Sequence, residues 1–331
     1  MLVLGVETSC DDTAAAVLRD GRVILANLVS SQDEIHRPYG GVVPELASRR
    51  HVENILPIVE AALARAAVAP GELDGLAVTR GPGLVGSLLV GLCMVKAMAF
   101  RLGIPYVGVN HLEAHLLAIQ LEQDVPFPYI ALLASGGHTL LYRVDGVGAY
   151  EHLGGTVDDA AGEAYDKVAK MMGLGYPGGR VIDRLAREGN PQAIRFPRAR
   201  VRNGTYQFSF SGVKTSVLHY LRKHEARWRD HVPDIAASFQ EAVVDMLVGP
   251  TIKAAATSGV PRIVLAGGVA ANSRLRQKMS ERAAAEGLRA YFPEPKFCTD
   301  NAAMIALTGY HRLRRGERDD LGLNADADLT L

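Results

Sequence analysis

The chain has 331 residues, enough for two domains and a large buried core. Its 36 Lys plus Arg balance 36 Asp plus Glu, so no global field draws it onto nucleic acid or a membrane, and an RNA partner must be held locally or with help. Cys10, Cys93 and Cys298 are odd in number, widely spaced and without a paired metal-ligand pattern; this excludes a disulfide scaffold and, with no stretch of roughly 20 apolar residues, leads us to expect unbridged thiols in a cytoplasmic protein without membrane association.

Residues 2–6 (LVLGV) predict a buried strand, followed by a polar tip over 8–12 and a returning strand over 13–18. Helical patterns cover about 43–67 and 86–102, with a strand in LDGLAVTR between them that leads into GPGLVGS. There Gly86, Ser87 and Gly91 form a small-residue face suited to close helix packing within the chain or, alternatively, to a partner. The hairpin returns over 129–144, where YIALLA and HTLLYRV flank Ser135, Gly136 and Gly137. Residues 158–247 read as mostly helical and loop-rich, then RIVLAGG forms a strand that runs into the helix of ANSRLRQKMSERAAAE. A last helix over about 301–315 should fold back on the first lobe. The alternation is α/β, with a remote internal duplication. We therefore expect one lobe of residues 1–128 plus about 300–325 and a second of 129–299 carrying a helical insertion at about 158–247.

His111 and His115, in VNHLEAH, are spaced so that one helical turn points both imidazoles the same way, toward a shared divalent ion. A zinc protease would carry its general-base Glu directly after the first His. Leu112 stands there, and Glu113 lies about 200° around the helix, away from the histidine face. A distant carboxylate is the natural third ligand, and Asp300 in FCTDNAA is the candidate. A histidine pair making ordinary hydrogen bonds is the alternative.

ASGGHT (134–139) places two glycines between strands, where successive backbone amides can approach an anion; a plain turn is the alternative. AGGVAANSRLR offers Gly267, Gly268 and Asn272 at a strand-to-helix junction suited to a nucleoside, or to a simple connection. Asp166 and Asp183 can hold ribose hydroxyls beside Gly178 and Gly179, and for each Asp a helix cap or solvated charge is the rival role. Two basic runs, one with Arg195, Arg198, Arg200 and Arg202 and one with His311, Arg312, Arg314 and Arg315, are local candidates for phosphate contact or ordinary solvated surface.

ETSCDDT, GPGLVGSL, NHLEAH, ASGGHT, GEAYDKVAKMMGLGYPGG, SFSGVKT, SFQEAVV, AGGVAANSRLR and FCTDNAAM occur in this order and span the chain. Together they resemble the bacterial form (TsaD) of the family that transfers threonylcarbamoyl to tRNA, formerly described as an O-sialoglycoprotein endopeptidase. The resemblance implies a two-lobed α/β fold like that of actin, sugar kinases and heat-shock ATPases (ASKHA), with duplicated mixed five-stranded sheets and flanking helices. It implies transfer of the threonylcarbamoyl group of threonylcarbamoyl-AMP to N6 of adenosine 37, in the anticodon loop of tRNAs reading ANN codons, with release of AMP. By matching motif, His111, His115 and Asp300 correspond to ligands of Fe(II) or Zn(II), and Ala134, Ser135, Gly136, Gly137, His138, Asp166, Gly179, Asp183 and Asn272 to the adenylate site. A degenerate paralogue (TsaB) and a small ATPase (TsaE) are the implied partners. Asp11, at the first polar tip, is the candidate general base, with capping of the hairpin as its rival role. Two other readings remain: an ATP-dependent small-molecule kinase of the same fold, which would not need the histidine pair, and a non-catalytic nucleotide-binding scaffold.

Overall fold

The first strand is apolar at nearly every position and buried on both faces, which makes it the centre of a sheet rather than an edge. The computed structural model describes residues 1–199 and 206–331 and divides into two units, residues 1–124 with 299–331 and residues 125–298. The first begins with β1 (Leu2–Glu7), β2 (Asp12–Arg19) and β3 (Val23–Ser31), then a short helix α1 (Asp33–His36). The long helix α2 (Pro44–Ala66) starts on a proline, whose missing N–H costs nothing in the first turn. β4 (Gly75–Gly81), α3 (Val85–Leu102), β5 (Tyr106–Asn110) and α4 (His111–Leu117) follow.

The second unit contains β6 (Tyr129–Ala134), β7 (Thr139–Gly146), β8 (Ala149–Gly155), α5 (Ala161–Met171), α6 (Gly178–Ala186), α7 (Ser211–Lys223) and α8 (Val232–Ser258). It closes with β9 (Arg262–Ala266), α9 (Ser273–Ala285), β10 (Arg289–Tyr291) and α10 (Pro295–Cys298). α11 (Ala302–Arg314) then belongs to the first unit, packed on β1, β4 and α4.

The two sheets repeat one topology. Strand order is β3-β2-β1-β4-β5 in the first and β8-β7-β6-β9-β10 in the second. In each, the first three strands form an antiparallel meander, and the first strand also pairs in parallel with the fourth. The duplication is therefore one of connectivity as well as of the hairpins. β3, β5, β8 and β10 escaped the sequence reading. All are edge strands: polar residues interrupt the apolar pattern of β3 and β8, and β10 is very short, whereas β5 is buried and apolar and was simply overlooked before the histidine turn.

α3 is long and apolar enough to cross a membrane by length and composition, which the sequence reading did not anticipate. Here its buried face, with Leu88, Leu92 and Val95, lies on β4 and α2, and Lys96 donates to the carbonyl of Leu323. The small residues of this helix serve packing within the unit: a Cβ on Gly91 would sit 2.5 Å from Thr8 Oγ1, and one on Gly86 2.6 Å from Ser48 Oγ.

The basic runs are largely tied up. Arg312 and Arg315 pair with Glu317, and Arg314 donates to the Tyr310 hydroxyl. Arg198 pairs with Asp245, while Arg200 and Arg202 lie outside the described residues.

The approach of α11 to the sheet leaves no room for a side chain between them. A Cβ built on Gly5 would lie 2.4 Å from the carbonyl oxygen of Ala302 and 2.6 Å from the amide of Ala306, both backbone atoms that cannot swing aside. On the facing helix, a Cβ on Gly309 would meet Ala77 Cβ at 2.2 Å. Gly5→Ala should therefore force α11 away from β1, at a cost of about 1–3 kcal/mol. The thermal midpoint should fall by several degrees, and an unchanged midpoint would mean the helix has slack.

Candidate metal centre and nucleotide site

α4 has only seven residues, too few to be stable alone, and every one is buried. Asn110 starts it: its side-chain oxygen accepts from the amides of Leu112 at 2.8 Å and Glu113 at 3.3 Å. α11 begins in the same way, with Asn301 Oδ1 accepting from the Met304 amide at 3.1 Å. Asp300 immediately precedes that cap, so its carboxylate sits where a helix N-terminus favours negative charge.

The packing of α11 on α4 brings Asp300 to the histidine pair. Asp300 Oδ1 is 3.1 Å from His115 Nε2 and 3.6 Å from His111 Nε2, and the imidazoles meet edge to face with centroids 4.7 Å apart. Ligands about 2.0–2.2 Å from a tetrahedral ion stand roughly 3.3–3.6 Å from each other. The two Asp300 separations lie close to that range. Among the described residues this is the His/Cys/Asp/Glu cluster able to hold a metal ion, with all ligand atoms within 4.8 Å of one another. Glu113 lies outside it.

The two rings differ in their surroundings. His111 Nδ1 faces Glu7 Oε2 at 2.9 Å and Ser9 Oγ at 3.2 Å, whereas His115 Nδ1 is buried with no hydrogen-bond partner among the described residues. Burial disfavours the imidazolium at His111, but the charges of Glu7 and Asp300 outweigh it and push the ring up to about 9. At His115 burial dominates, holding it below the usual histidine range despite the Asp300 hydrogen bond.

The polar tip between β1 and β2 also lies within the field of Asp300. Burial raises the Asp11 carboxyl, with Asp300 adding to the shift and a Cys10 hydrogen bond opposing it. Burial, then the charges of Asp300 and Asp11, push Asp12 up to about 7, and Asp12 Oδ1 has no hydrogen-bond partner. A divalent cation among His111, His115 and Asp300 would offset this crowding of negative charge. The sequence reading singled out Asp11 but missed Asp12, and it missed Glu7 and Ser9 behind His111. The available signal was an acidic residue closing an otherwise apolar strand.

In the second unit, the residues assigned to a nucleotide are joined by a continuous path of contacts. Ser135 and His138 close the β6–β7 hairpin through a backbone bond of 2.8 Å, and the Gly162 amide donates to the Ser135 carbonyl at 3.1 Å. Gly267, at φ +82°, lies so near this hairpin that a Cβ would sit 2.4 Å from the Ala134 oxygen. Asp166 accepts from the Gly178 amide at 2.7 Å, and Asp183 accepts from the Ser273 hydroxyl and amide at 2.8 and 3.2 Å. Both carboxylates thus hold the start of a neighbouring helix, α6 and α9. Asn272 is engaged at both ends: Oδ1 caps α9 through the Leu275 amide at 3.0 Å, and Nδ2 donates to Gln240 at 2.7 Å. By contrast, Gly136, Gly137, Gly179 and Gly268 face open space, with nothing within 4 Å of a Cβ built there.

Glu241 ties α8 to α9 beside these residues, accepting from Arg274 Nε at 2.7 Å and Lys278 Nζ at 2.5 Å. The Arg274 hydrogen bond, against burial, holds its carboxyl down at about 2. A depressed folded-state pKa contributes stability that is complete above the unfolded value of 4.5 and disappears as pH falls through about 2. Glu241→Gln should therefore lower stability at pH 7 by about 1–2 kcal/mol, read as a lower thermal midpoint. Its deficit against the unaltered chain should narrow as pH drops below about 4.5; a deficit independent of pH would exclude the ion pair as its cause.

The duplicated sheets are those of the actin-like, sugar-kinase and heat-shock ATPase class. Component A of (R)-2-hydroxyglutaryl-CoA dehydratase from Acidaminococcus fermentans superposes with a TM-score of 0.57 at 16% identity, over 95% of this chain and 99% of that one. HypF in its phosphate- and nucleotide-bound form gives a TM-score of 0.63 at 14% identity, over 96% of this chain and 56% of that one. At such identities the likeness concerns the fold alone. Sequence relationship is much closer elsewhere. The profile of tRNA N6-adenosine threonylcarbamoyltransferase (TsaD) matches residues 23–307. The tRNA N6-adenosine threonylcarbamoyltransferase of Syntrophotalea carbinolica is 57% identical over 100% of this chain and 97% of its own length, and that of Geobacter sulfurreducens 55% over 100% and 97%. The chain belongs to the tRNA N6-adenosine threonylcarbamoyltransferase family.

Proposed function

We propose that this chain transfers the threonylcarbamoyl group of threonylcarbamoyl-AMP to N6 of adenosine 37 in tRNAs reading ANN codons, with release of AMP. Family membership over the whole chain carries this reading, and the His111, His115 and Asp300 cluster supports it. A small-molecule kinase of the same fold would leave the cluster without a use. A non-catalytic scaffold would have no need to keep it.

The exocyclic amine of adenine is a weak nucleophile because its lone pair is delocalised into the ring. Its attack on the carbamoyl carbon forms the new C–N bond, breaks the bond to the phosphate oxygen and releases AMP, while the N6 proton must pass to a base. Positioning of amine and carbonyl can contribute about 7–11 kcal/mol. The target lies in a single-stranded loop and can be splayed out without melting a duplex. The path of contacts from Ala134 through His138, Asp166, Gly179, Asp183 and Asn272 is our adenylate site, where the open faces of Gly136, Gly137 and Gly179 leave backbone amides accessible to phosphate. The carboxylates and Asn272 there act chiefly by fixing helix starts.

His111, His115 and Asp300 would hold one Fe(II) or Zn(II), which two imidazoles and a carboxylate suit equally. Such an ion supplies charge for the acyl or phosphate oxygens. Asp11 is our candidate for the base that accepts the N6 proton; its raised pKa supports this, since a stronger base is a better acceptor. A chain with zero net charge binds tRNA weakly alone, which supports a requirement for partners. Val52 and Leu56 on α2, with Val85 and Leu89 on α3, expose apolar side chains one helical turn apart, a surface suited to helices of a TsaB-like paralogue. A TsaE-like ATPase completes the set, and the setting is cytoplasmic.

With threonylcarbamoyl-AMP, ATP, tRNA and the partner proteins, the unaltered chain should modify tRNA, whereas without the partners it should not. His111→Ala should lose bound metal and at least a hundredfold in transfer, roughly 2.7 kcal/mol. Full turnover by the isolated chain, or by His111→Ala, would contradict the reading. Asp11→Asn should bind adenylate normally yet transfer at least tenfold more slowly; an unchanged rate would remove Asp11 from proton transfer and leave it a structural role.

A further inference from the structure

We infer that Glu7 is a positioning residue for the metal centre, acting through the far nitrogen of His111; this rests on the reading that His111, His115 and Asp300 hold a divalent ion. Glu7 ends β1 with its side chain entirely buried. An isolated carboxylate in such a place would cost several kcal/mol, so its partners matter. Oε1 accepts from the Ser9 amide at 2.5 Å and Oε2 from Thr79 Oγ1 at 2.6 Å, while His111 Nδ1 lies 2.9 Å from Oε2. The first two donors come from the turn after β1 and from β4, so the sheet itself fixes the carboxylate before any ion arrives.

Against a fixed acceptor, Nδ1 of His111 must carry the proton. That assigns the tautomer whose lone pair is on Nε2, the nitrogen facing Asp300 at 3.6 Å. The carboxylate also makes the imidazole a stronger donor to an ion, and carboxylate behind histidine is a general arrangement at metal centres. Together Glu7 and Asp300 bring two negative charges, matching a divalent cation. His115 has no such support, since its Nδ1 lacks a partner. The centre therefore has one ligand oriented by the sheet and one oriented only by packing in α4. Its geometry should depend on His111 being correctly aimed.

A purely structural role for Glu7, as a buried group linking β1 to β4, would leave metal binding unaffected in any variant that folds. Glu7→Gln separates the two. With its oxygen on the Ser9 amide, the Gln NH2 faces Thr79 Oγ1 and His111 Nδ1, so Nδ1 must accept and the lone pair leaves Nε2; the reverse orientation keeps the tautomer only by setting NH2 against the Ser9 N–H. Zn(II) affinity is measured by competition with a chromophoric chelator, and ligand geometry by the visible bands of the Co(II)-loaded protein, with folding checked by circular dichroism. We expect Glu7→Gln to bind Zn(II) about 10–100-fold more weakly with altered Co(II) bands, and Glu7→Asp to fall between it and the unaltered chain. Unchanged affinity and bands in folded Glu7→Gln, or in Glu7→Asp should the glutamine variant not fold, overturn the inference while leaving the metal centre standing. Should His115→Ala bind Zn(II) as tightly as the unaltered chain, the metal reading itself fails, and the role of Glu7 with it.

Discussion

The contact on which the first unit depends is the seating of α11 directly on β1. Residue 5 has no side chain, so the helix backbone comes within van der Waals reach of the strand at Ala302 and Ala306. That approach sets where the helix begins, and Asp300 stands just before its Asn301 cap. A larger residue there would push against the Ala302 and Ala306 backbone, two and six residues after Asp300. The geometry proposed for the metal centre and the packing of the core thus share one contact.

Around that contact the protein gathers an excess of buried or half-buried acid. Asp300 acts electrostatically on Glu7, Asp11 and Asp12, and without an ion it is His111, pushed up to about 9, that Glu7 and Asp300 face. Such an arrangement is costly in an empty protein and becomes favourable when a cation enters. Stability is given up locally for function, and the surrounding β1, β4 and α11 core, closed by Leu4, Val6, Leu76 and Ile305, compensates for it. In the second unit polar residues take the opposite part. Asp166, Asp183 and Asn272 each hold a helix start, Asp183 also pairs with Arg187 and Asn272 also donates to Gln240, beside the open backbone of Gly136, Gly137 and Gly179.

Much of this was legible in the sequence because the relevant signals are local. The i, i+4 spacing of His111 and His115 fixes their common face on a helix, and the paired hairpins at 2–18 and 129–144 give the duplication. Asp300 could be named as a third ligand but not placed, since its approach depends on Gly5, almost 300 residues away in the chain. Glu7 was not legible as a partner of His111 for the same reason: its role comes from the pairing of β1 with β4 and β4 with β5, which brings distant residues into line. The helix contacts of Asp166, Asp183 and Asn272 were no more legible: a short polar side chain before or beside a helix can hold its start, and only coordinates reveal which helix that is. Edge strands β3 and β8 were missed because an edge tolerates polar residues that blur the period.

We propose that the α4 histidines and the residue before α11 hold one ion. Anomalous diffraction from crystals of the purified protein, collected on both sides of the zinc and iron edges, tests it most directly. A single peak within about 2.0–2.2 Å of His111 Nε2, His115 Nε2 and an Asp300 carboxylate oxygen is the predicted result. An ion bound elsewhere, or one held by the histidines with Asp300 turned away, would contradict it.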